Sequence, residues 1–126
     1  MVARTNNLAT ELLAFEHPAA GKQFVKGGVE PGESAEAAAK RELWEEAGLR
    51  ALSACHILTS EHLEFEANWH FVLCDIAPAP EHWLHHCADG GGHVFSFFWQ
   101  PLQSPLNETW DSLFHAALAD IRKWLD

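Results

Sequence analysis

Hydrophobic and polar positions alternate with a short period at the start of the chain, which predicts strands. The segment Leu8 to His17 reads as a strand with an apolar centre, closed by turn-forming residues 18–21. A short second strand is predicted at Lys22 to Val25. Residues 27–32, here called the glycine loop, contain three glycines and one proline, which exclude regular structure and let the backbone approach a ligand closely.

The next segment changes to a helical pattern. Ser34 is a good N-cap, Glu36 places negative charge in the first turn, and Gly48 stands where a helix commonly ends in a left-handed residue. These signals predict a helix from Ala35 to Ala47.

Strand patterns return after this helix. Residues 51–77 predict two strands, or a hairpin that turns near Ala67-Asn68. Further strands are predicted at Glu81 to Cys87 and His93 to Gln100, and an amphipathic helix at Glu108 to Leu125. The order β-β-α-β-β-β-α predicts a mixed sheet flanked by helices, in the α/β or α+β class.

Composition narrows the range of functions. The chain has 126 residues, which predicts a single domain over 1–126, and its 48% apolar and 21% charged residues are typical of a folded protein. A net charge of −10 with only 8 Lys and Arg residues argues against a nucleic acid polymer as partner. A phosphorylated ligand would therefore need another source of positive charge, and a divalent cation is the obvious candidate.

Cysteine usage and hydropathy bear on location. Cys55, Cys74 and Cys87 lack a C-x-x-C spacing and lie in or beside apolar stretches, so we expect buried, reduced thiols and a cytoplasmic protein. The N-terminal residues contain no apolar signal core, and no apolar run is long enough to span a membrane. The oligomeric state is left open, with a homodimer as one option.

Three acidic residues of the predicted helix share one face. Glu42, Glu45 and Glu46 follow i, i+3, i+4 spacing, which brings their carboxylates within about one turn. Two like charges about 4 Å apart repel by about 4 kcal/mol at an effective dielectric constant near 20. Grouped carboxylate oxygens suit Mg²⁺ or Mn²⁺. The alternative is an acidic helix surface exposed to solvent.

The surroundings of these glutamates favour a metal site over a solvated surface. Ala35, Ala38 and Ala39 occupy the same sector of the helix and leave it close to whatever it packs against. Arg41 precedes Glu45 by one turn and can orient it. The glycine loop adds free backbone groups at the helix N-terminus, where anions gather.

The same residues carry a family resemblance. Gly27, Glu33 and the run Arg41 to Leu49 resemble the Nudix box, G-x5-E-x7-R-E-U-x-E-E-x-G-U, where U is aliphatic, without a departure. The resemblance implies an αβα sandwich fold and hydrolysis of a diphosphate linkage in a nucleoside diphosphate derivative, such as a dinucleoside polyphosphate, a nucleotide sugar or a nucleoside triphosphate, with Mg²⁺ or Mn²⁺. It implies that Glu42, Glu45, Glu46 and the Lys26 carbonyl are metal ligands, and that Arg41 and Glu33 orient them.

The resemblance leaves the general base open. It implies either a glutamate of the box, Glu45 or Glu46, or a carboxylate on a distant loop. Asp89, Glu64 and Glu66 are candidates for the second case, although a solvated surface acid is the favoured interpretation of each one. Asp89 ranks first because the glycines that follow it could form a mobile lid.

Residues outside the Nudix-like motif, together with its first residues, suggest which substrate binds and which residues contact it. Residues 24–33 are similar to the PKG-x-x-x-PGE opening of dinucleoside polyphosphate and diphosphoinositol phosphate hydrolases, with Val25 in place of proline. Lys26, Gly27 and Gly28 are candidates for phosphate contacts. The six tryptophans are expected mostly in the core, and Trp83 is the best candidate for stacking on a base because it is near the proposed lid.

Three other interpretations were weighed. His82, His85 and His86 lack the cysteine or second histidine cluster of a zinc site, so we expect surface or substrate-adjacent imidazoles. A non-catalytic Nudix-like sensor would bind a nucleotide or sugar ligand without cleaving it, and would have no need for three mutually repelling carboxylates. A metal-storage or structural acidic protein would bind cations regardless of nucleotide.

Overall fold

Strands and helices follow the order β-β-β-α-β-β-β-β-α in the computed structural model, which describes residues 1–88 and 92–125, apart from the side chain of Ala67. The elements are β1 (Ala3–Asn6), β2 (Ala9–His17), β3 (Gly21–Phe24), α1 (Ala35–Ala47), β4 (Ser53–His62), β5 (Ala67–Asp75), β6 (Trp83–Cys87), β7 (His93–Pro101) and α2 (Ser112–Leu125).

The two helices cover opposite faces of the main sheet. Side chains alternate along β2, so Leu13 and Phe15 pack in a core cluster with residues of α1, whereas Leu12 and Ala14 pack in a second cluster with residues of α2. This arrangement is the predicted αβα sandwich, with the site helix α1 on one side.

The main sheet is built around β2. Strands β1 and β3 pair with successive parts of β2, β7 pairs with β2 as well, and β6 pairs with β7. All of these pairs are antiparallel, so the parallel component of the predicted mixed sheet is an isolated bridge between Lys22 and Trp110. Strands β4 and β5 form a separate antiparallel hairpin.

The hairpin joins the main sheet through the first two residues. The Leu13 N–H donates to the Val2 carbonyl at 2.9 Å, and the Cys74 N–H donates to the Met1 carbonyl at 2.8 Å. Val72 and Cys74 of β5 then enter the core cluster that contains α1. The hairpin is thereby positioned beside both α1 and the glycine loop.

The bounds and caps of α1 agree with the prediction. The Ala37 N–H donates to Ser34 Oγ at 3.1 Å at the N-terminus. Gly48 has φ 70° at the C-terminus, and its N–H donates to the Trp44 carbonyl at 3.0 Å. The sequence therefore places the functional helix correctly.

Three predicted details are wrong. The polar strand β1 was missed because its residues, ARTN, show no apolar alternation. The predicted order also counts three strands after α1, although the four strand segments predicted there are all present as β4 to β7. The hairpin turns at residues 63–66, through a 3-10 turn and a left-handed Glu66 (φ 50°), so Ala67 and Asn68 already belong to β5. Helix α2 begins at Ser112 instead of Glu108 because Asp111 Oδ1 accepts from the Leu113 N–H at 3.0 Å.

Burial corrects two expectations about side chains. All three cysteines are free thiols, and Cys74 and Cys87 are buried as predicted, but Cys55 is exposed. Trp44 and Trp124 are 59% and 50% exposed and lie outside the core. Among the described residues no helix combines the length and the apolarity needed to cross a membrane.

Candidate functional site

Arg41 lies at the centre of the candidate site on α1. Its Nε and Nη2 donate to the two carboxylate oxygens of Glu33 at 2.9 and 3.0 Å. Its Nη1 donates to Glu42 Oε1 at 2.7 Å and to Glu45 Oε2 at 3.3 Å, and Nη2 also donates to the Gly28 carbonyl at 2.8 Å. One guanidinium therefore joins three acidic side chains to the glycine loop.

This network shifts the titration of its members. The hydrogen bonds to Glu33 and then Glu42 raise the pKa of Arg41, and the hydrogen bond from Arg41 lowers the pKa of Glu33. The Glu30 N–H lowers the Glu33 pKa further by donating to Glu33 Oε1 at 3.0 Å. Both groups therefore stay charged at neutral pH. Arg41 contacts Glu45 as expected, and it makes shorter hydrogen bonds to Glu33 and Glu42.

The guanidinium changes the argument about like-charge repulsion. The spacing of the glutamates alone predicts that a bound cation must offset the crowded carboxylates, but Arg41 already contacts Glu42 and Glu45. The acidic cluster is therefore tolerable before any metal binds. A divalent cation at this site would have to share these oxygens with Arg41.

The glycine loop approaches Glu42 very closely. A Cβ atom built on Gly27 would overlap the Glu42 carboxylate, whereas one built on Gly28 would meet open space. A side chain at position 27 would therefore displace the Glu42 carboxylate, and the loop backbone lies against an acidic oxygen. Lys26 directly precedes the glycine loop, so its carbonyl is well placed in sequence to join such an oxygen set.

Glu46 differs from the other two glutamates because it is buried, with an exposed fraction of 9%. Glu45 is half-buried, and so is Glu42. Low exposure excludes most water, which strengthens the interaction of a carboxylate with any charged ligand. Glu42, Glu45 and Glu46, here called the box carboxylates, thus range from half-buried to buried.

The box carboxylates are of the chemical type that binds an oxygen-ligated cation, but their side chains are not arranged around one ion in this structure. Within residues 1–88 and 92–125, no three Asp, Glu, His or Cys side chains are gathered as ligands of one ion. Arg41 Nη1 instead bridges Glu42 and Glu45. The assignment of Glu42, Glu45, Glu46 and the Lys26 carbonyl as metal ligands stays a prediction.

A cavity of about 560 Å³ opens beside these residues. We call it the main cavity. Its lining includes the acidic Glu42, residues of the glycine loop, and aromatic residues of β5 and α2. The lining residues include Lys26, Gly27, Gly28, Ala35, Ala38, Ala39, Glu42, Trp69, His70, Phe71 and Phe114.

The alanines of α1 pack closely, as predicted, and also line the main cavity. Ala35 and Ala39 pack against the core cluster that contains residues of α1, Ala38 is buried, and all three belong to the cavity lining. Their small side chains leave space for a ligand beside Glu42. The substrate candidates Lys26, Gly27 and Gly28 line the same cavity.

The C-terminal end of α1 is fixed by β6. The Trp83 Nε1–H donates to the Ala47 carbonyl at 3.2 Å, and the Trp83 ring stacks on Phe97 with centroids 5.0 Å apart. His85 Nε2 donates to the Glu45 carbonyl at 3.0 Å. Trp83 does not belong to the described residues that line the main cavity, and its role as a base contact stays a prediction.

The candidates for a distant general base lie apart from the box. Glu64 belongs to the turn of the β4–β5 hairpin, where its Oε1 is 3.3 Å from His62 Nδ1, and this contact and its own backbone N–H lower its pKa. Glu66 is exposed at the same turn. Neither is among the described residues that line the main cavity. Asp89 lies outside the described residues.

Trp69 is an aromatic wall of the main cavity that sequence reasoning did not single out. Its ring lies 4.0 Å from the His62 ring between centroids and contacts Phe71 edge-on at 6.4 Å. His62 is held in turn by Asp120 of α2, with Nε2 2.7 Å from Oδ2. Closeness in sequence to residue 89 favours Trp83 over Trp69. Closeness in sequence does not indicate which strand lies beside the glycine loop.

The geometry agrees with a comparison against known protein families. A family model described as NUDIX domain matches residues 2–121, which is nearly the whole chain.

Proposed function

Because the chain belongs to the Nudix family, whose members hydrolyse pyrophosphate bonds of nucleoside diphosphate derivatives, we propose that it cleaves such a substrate in the main cavity with Mg²⁺ or Mn²⁺ held by the box carboxylates. The chain is thus a hydrolase that acts on small phosphorylated substrates. Dinucleoside polyphosphates, nucleotide sugars and nucleoside triphosphates are the proposed substrate classes.

The observation that carries this proposal is the mixed lining of the main cavity. Glu42, Gly27 and Gly28 line it together with the aromatic residues Trp69 and Phe71. A nucleoside diphosphate derivative likewise combines a charged phosphate chain with an aromatic base. A volume of about 560 Å³ is within the range of small-molecule sites.

The proposed cation site uses residues that suit a hard metal ion. Nudix hydrolases generally need a divalent metal such as Mg²⁺ or Mn²⁺. Carboxylate and carbonyl oxygens are the ligands that these ions prefer, and Glu42, Glu45, Glu46 and the Lys26 carbonyl supply them. When bound, the cation neutralises phosphate charge and favours attack by water on phosphorus.

Other residues of the chain position these ligands. Arg41 fixes Glu42 and Glu45 relative to Glu33, which is itself anchored by the Glu30 N–H. The two bonds from Arg41 to Glu33 would hold the guanidinium in place if Glu42 and Glu45 served as ligands of the cation. Lys26 offers a positive side chain to the phosphate chain at the cavity mouth.

The proton of the attacking water needs an acceptor near the cation. Glu45 and Glu46 are the proposed acceptors within the box, since both lie on the helix face that holds the ligands. Asp89 is the proposed acceptor from outside it. Glu64 and Glu66 remain weaker proposals because they lie at the hairpin turn, away from the described cavity lining.

A hydrolysis panel tests the proposal. Release of mononucleotide and phosphate is measured from the three substrate classes with Mg²⁺, with Mn²⁺ and with chelator. We expect cleavage of at least one class, only with metal, and loss of that activity in Glu45→Gln. Glu36→Gln is the matched control because Glu36 lies on the same helix outside the box. Tight binding of one compound without cleavage of any would contradict the proposal and favour a sensor.

A further inference from the structure

The outer part of the β4–β5 hairpin carries a pair of histidines whose ring nitrogens point at one place. His56 Nε2 and His70 Nδ1 are 3.4 Å apart, and both are within hydrogen-bonding distance of Thr59 Oγ1, at 2.9 and 3.1 Å. The two rings are 5.4 Å apart between centroids. Three donor atoms therefore form a small triangle at an exposed position.

A β-bulge creates this convergence. Thr59 pairs directly with His70, and His56 pairs with Val72, so three steps along β4 correspond to two steps along β5, with the irregularity between His56 and Leu58. In an unbroken strand His56 and Thr59 would face opposite sides, because side chains alternate. The extra residue turns His56 to the side of Thr59 and His70, which is the kind of re-aiming that bulges produce at functional sites.

We propose that His56 and His70 bind Zn²⁺ at this place, with Thr59 Oγ1 beside it. Two ligand atoms at tetrahedral positions about 2.1 Å from zinc lie roughly 3.4 Å apart, which is the separation found between the two nitrogens. Imidazole nitrogen suits zinc and not Mg²⁺ or Mn²⁺, so the ion differs from that of the box carboxylates.

The site is open, because the part of the chain that the structure describes supplies two nitrogens and one hydroxyl to it. The remaining positions are left for water or for an oxygen of a ligand. His70 also lines the main cavity, so the bound Zn²⁺ lies at its rim. Zinc here links two adjacent strands and adds positive charge to a cavity whose lining also includes Glu42.

Zinc titration in the presence of excess Mg²⁺, followed by calorimetry, tests this site without reference to hydrolysis. We expect one site in the wild-type protein, and a dissociation constant raised at least about tenfold in His56→Gln and in His70→Gln. His86→Gln is the matched control, since His86 is an exposed histidine on β6, and it should bind zinc as the wild type does. Both altered side chains are exposed, so circular dichroism should show an unchanged fold.

Nitrogen NMR of the imidazoles gives a second and more specific reading. Zinc should shift Nε2 of His56 and Nδ1 of His70, because those are the two converging atoms. Wild-type affinity in both variants, or shifts confined to other histidines, would overturn the proposal. Zinc binding that persists when excess Mg²⁺ occupies the box carboxylates, and that is lost in the two variants, would support the proposed zinc site. This result would hold even if no nucleotide is hydrolysed.

Discussion

The two helices that cover opposite faces of the sheet use acidic side chains in different ways. Helix α2 buries Asp120, whose Oδ2 lies 2.7 Å from His62 Nε2, among apolar residues of its core cluster. Helix α1 buries Glu46 and gathers two further glutamates around Arg41 beside the main cavity. The comparison teaches that α2 uses its acid to hold a histidine of the β4–β5 hairpin, whereas α1 concentrates acids beside the main cavity.

Glu46→Gln should give the largest effect on the α1 side. The change removes a charge from the box carboxylates and nearly preserves shape, so we expect turnover to fall by about 10²–10⁴-fold. Without metal the free energy of unfolding should stay the same or rise slightly, because like-charge repulsion is reduced. Steady-state kinetics and urea unfolding check both. An unfolded variant would assign the cluster a structural role.

Leu118→Ala tests the opposite behaviour on α2. Leu118 is 3% exposed in the core cluster and does not line the main cavity. Truncation should lower the free energy of unfolding by about 2–5 kcal/mol. Turnover of the molecules that remain folded should change little, as measured at low temperature. A large loss of turnover with intact stability would remove the distinction between the helices.

Arg41→Lys separates charge from geometry within α1. Lysine keeps the charge but cannot donate at once to Glu33, Glu42, Glu45 and the Gly28 carbonyl. We expect turnover and Mg²⁺ affinity each to fall by about 10–100-fold. The same exchange at the exposed Arg50 should leave both unchanged. Equal, small effects at the two positions would show that Arg41 supplies only charge.

Trp69→Ala tests whether the β4–β5 hairpin, which contacts α2 through His62 and Asp120, contributes to substrate binding. Loss of a stacking surface should raise KM for a base-containing substrate by roughly five- to 150-fold, or about 1–3 kcal/mol, with little change for an inorganic polyphosphate. Trp83→Ala is compared in the same assay. Because Trp83 contacts the end of α1, we expect the smaller increase in KM from that variant. The reverse ranking would support Trp83 as the base contact.

The smallest expected effect concerns pH. The hydrogen bond with Asp120, followed by that with Glu64, raises the pKa of His62. Because the pKa of His62 is higher in the folded state, its charged pair with Asp120 gives the full stabilisation below the unfolded pKa of about 6.5. This stabilisation is lost as the pH rises through the folded pKa. Asp120→Asn should therefore lower stability more at pH 6 than at pH 9 in urea unfolding. A difference independent of pH would show that His62 stays neutral.

The sequence predicted α1 well because its signals are local. Ser34 caps one end and Gly48 ends the other by backbone chemistry that depends on a few neighbouring residues. The contacts of Arg41 with Glu42 and Glu45 also follow from helical spacing. The family resemblance added Glu33, whose bonds to Arg41 cross a loop and could not be derived from spacing alone.

The features that were missed depend on tertiary structure. Trp69 and His70 adjoin the cavity only because β5 is brought beside the glycine loop, partly through backbone bonds of Met1 and Val2. The bulge that brings His56 to His70 requires knowledge of strand register, which the alternation of residues 51–77 does not contain. Polar strand β1 forms by pairing with β2, without an apolar pattern of its own.

Cation binding to the box carboxylates is the central claim, and a calorimetric titration with Mg²⁺ and Mn²⁺ in the presence of a non-hydrolysable nucleotide analogue tests it most directly. The wild-type protein should take up the ion at millimolar concentration or below, and the double variant Glu42→Gln/Glu46→Gln should not. Absence of uptake by the wild-type protein with the nucleotide present, or equal uptake by the double variant, would contradict the claim.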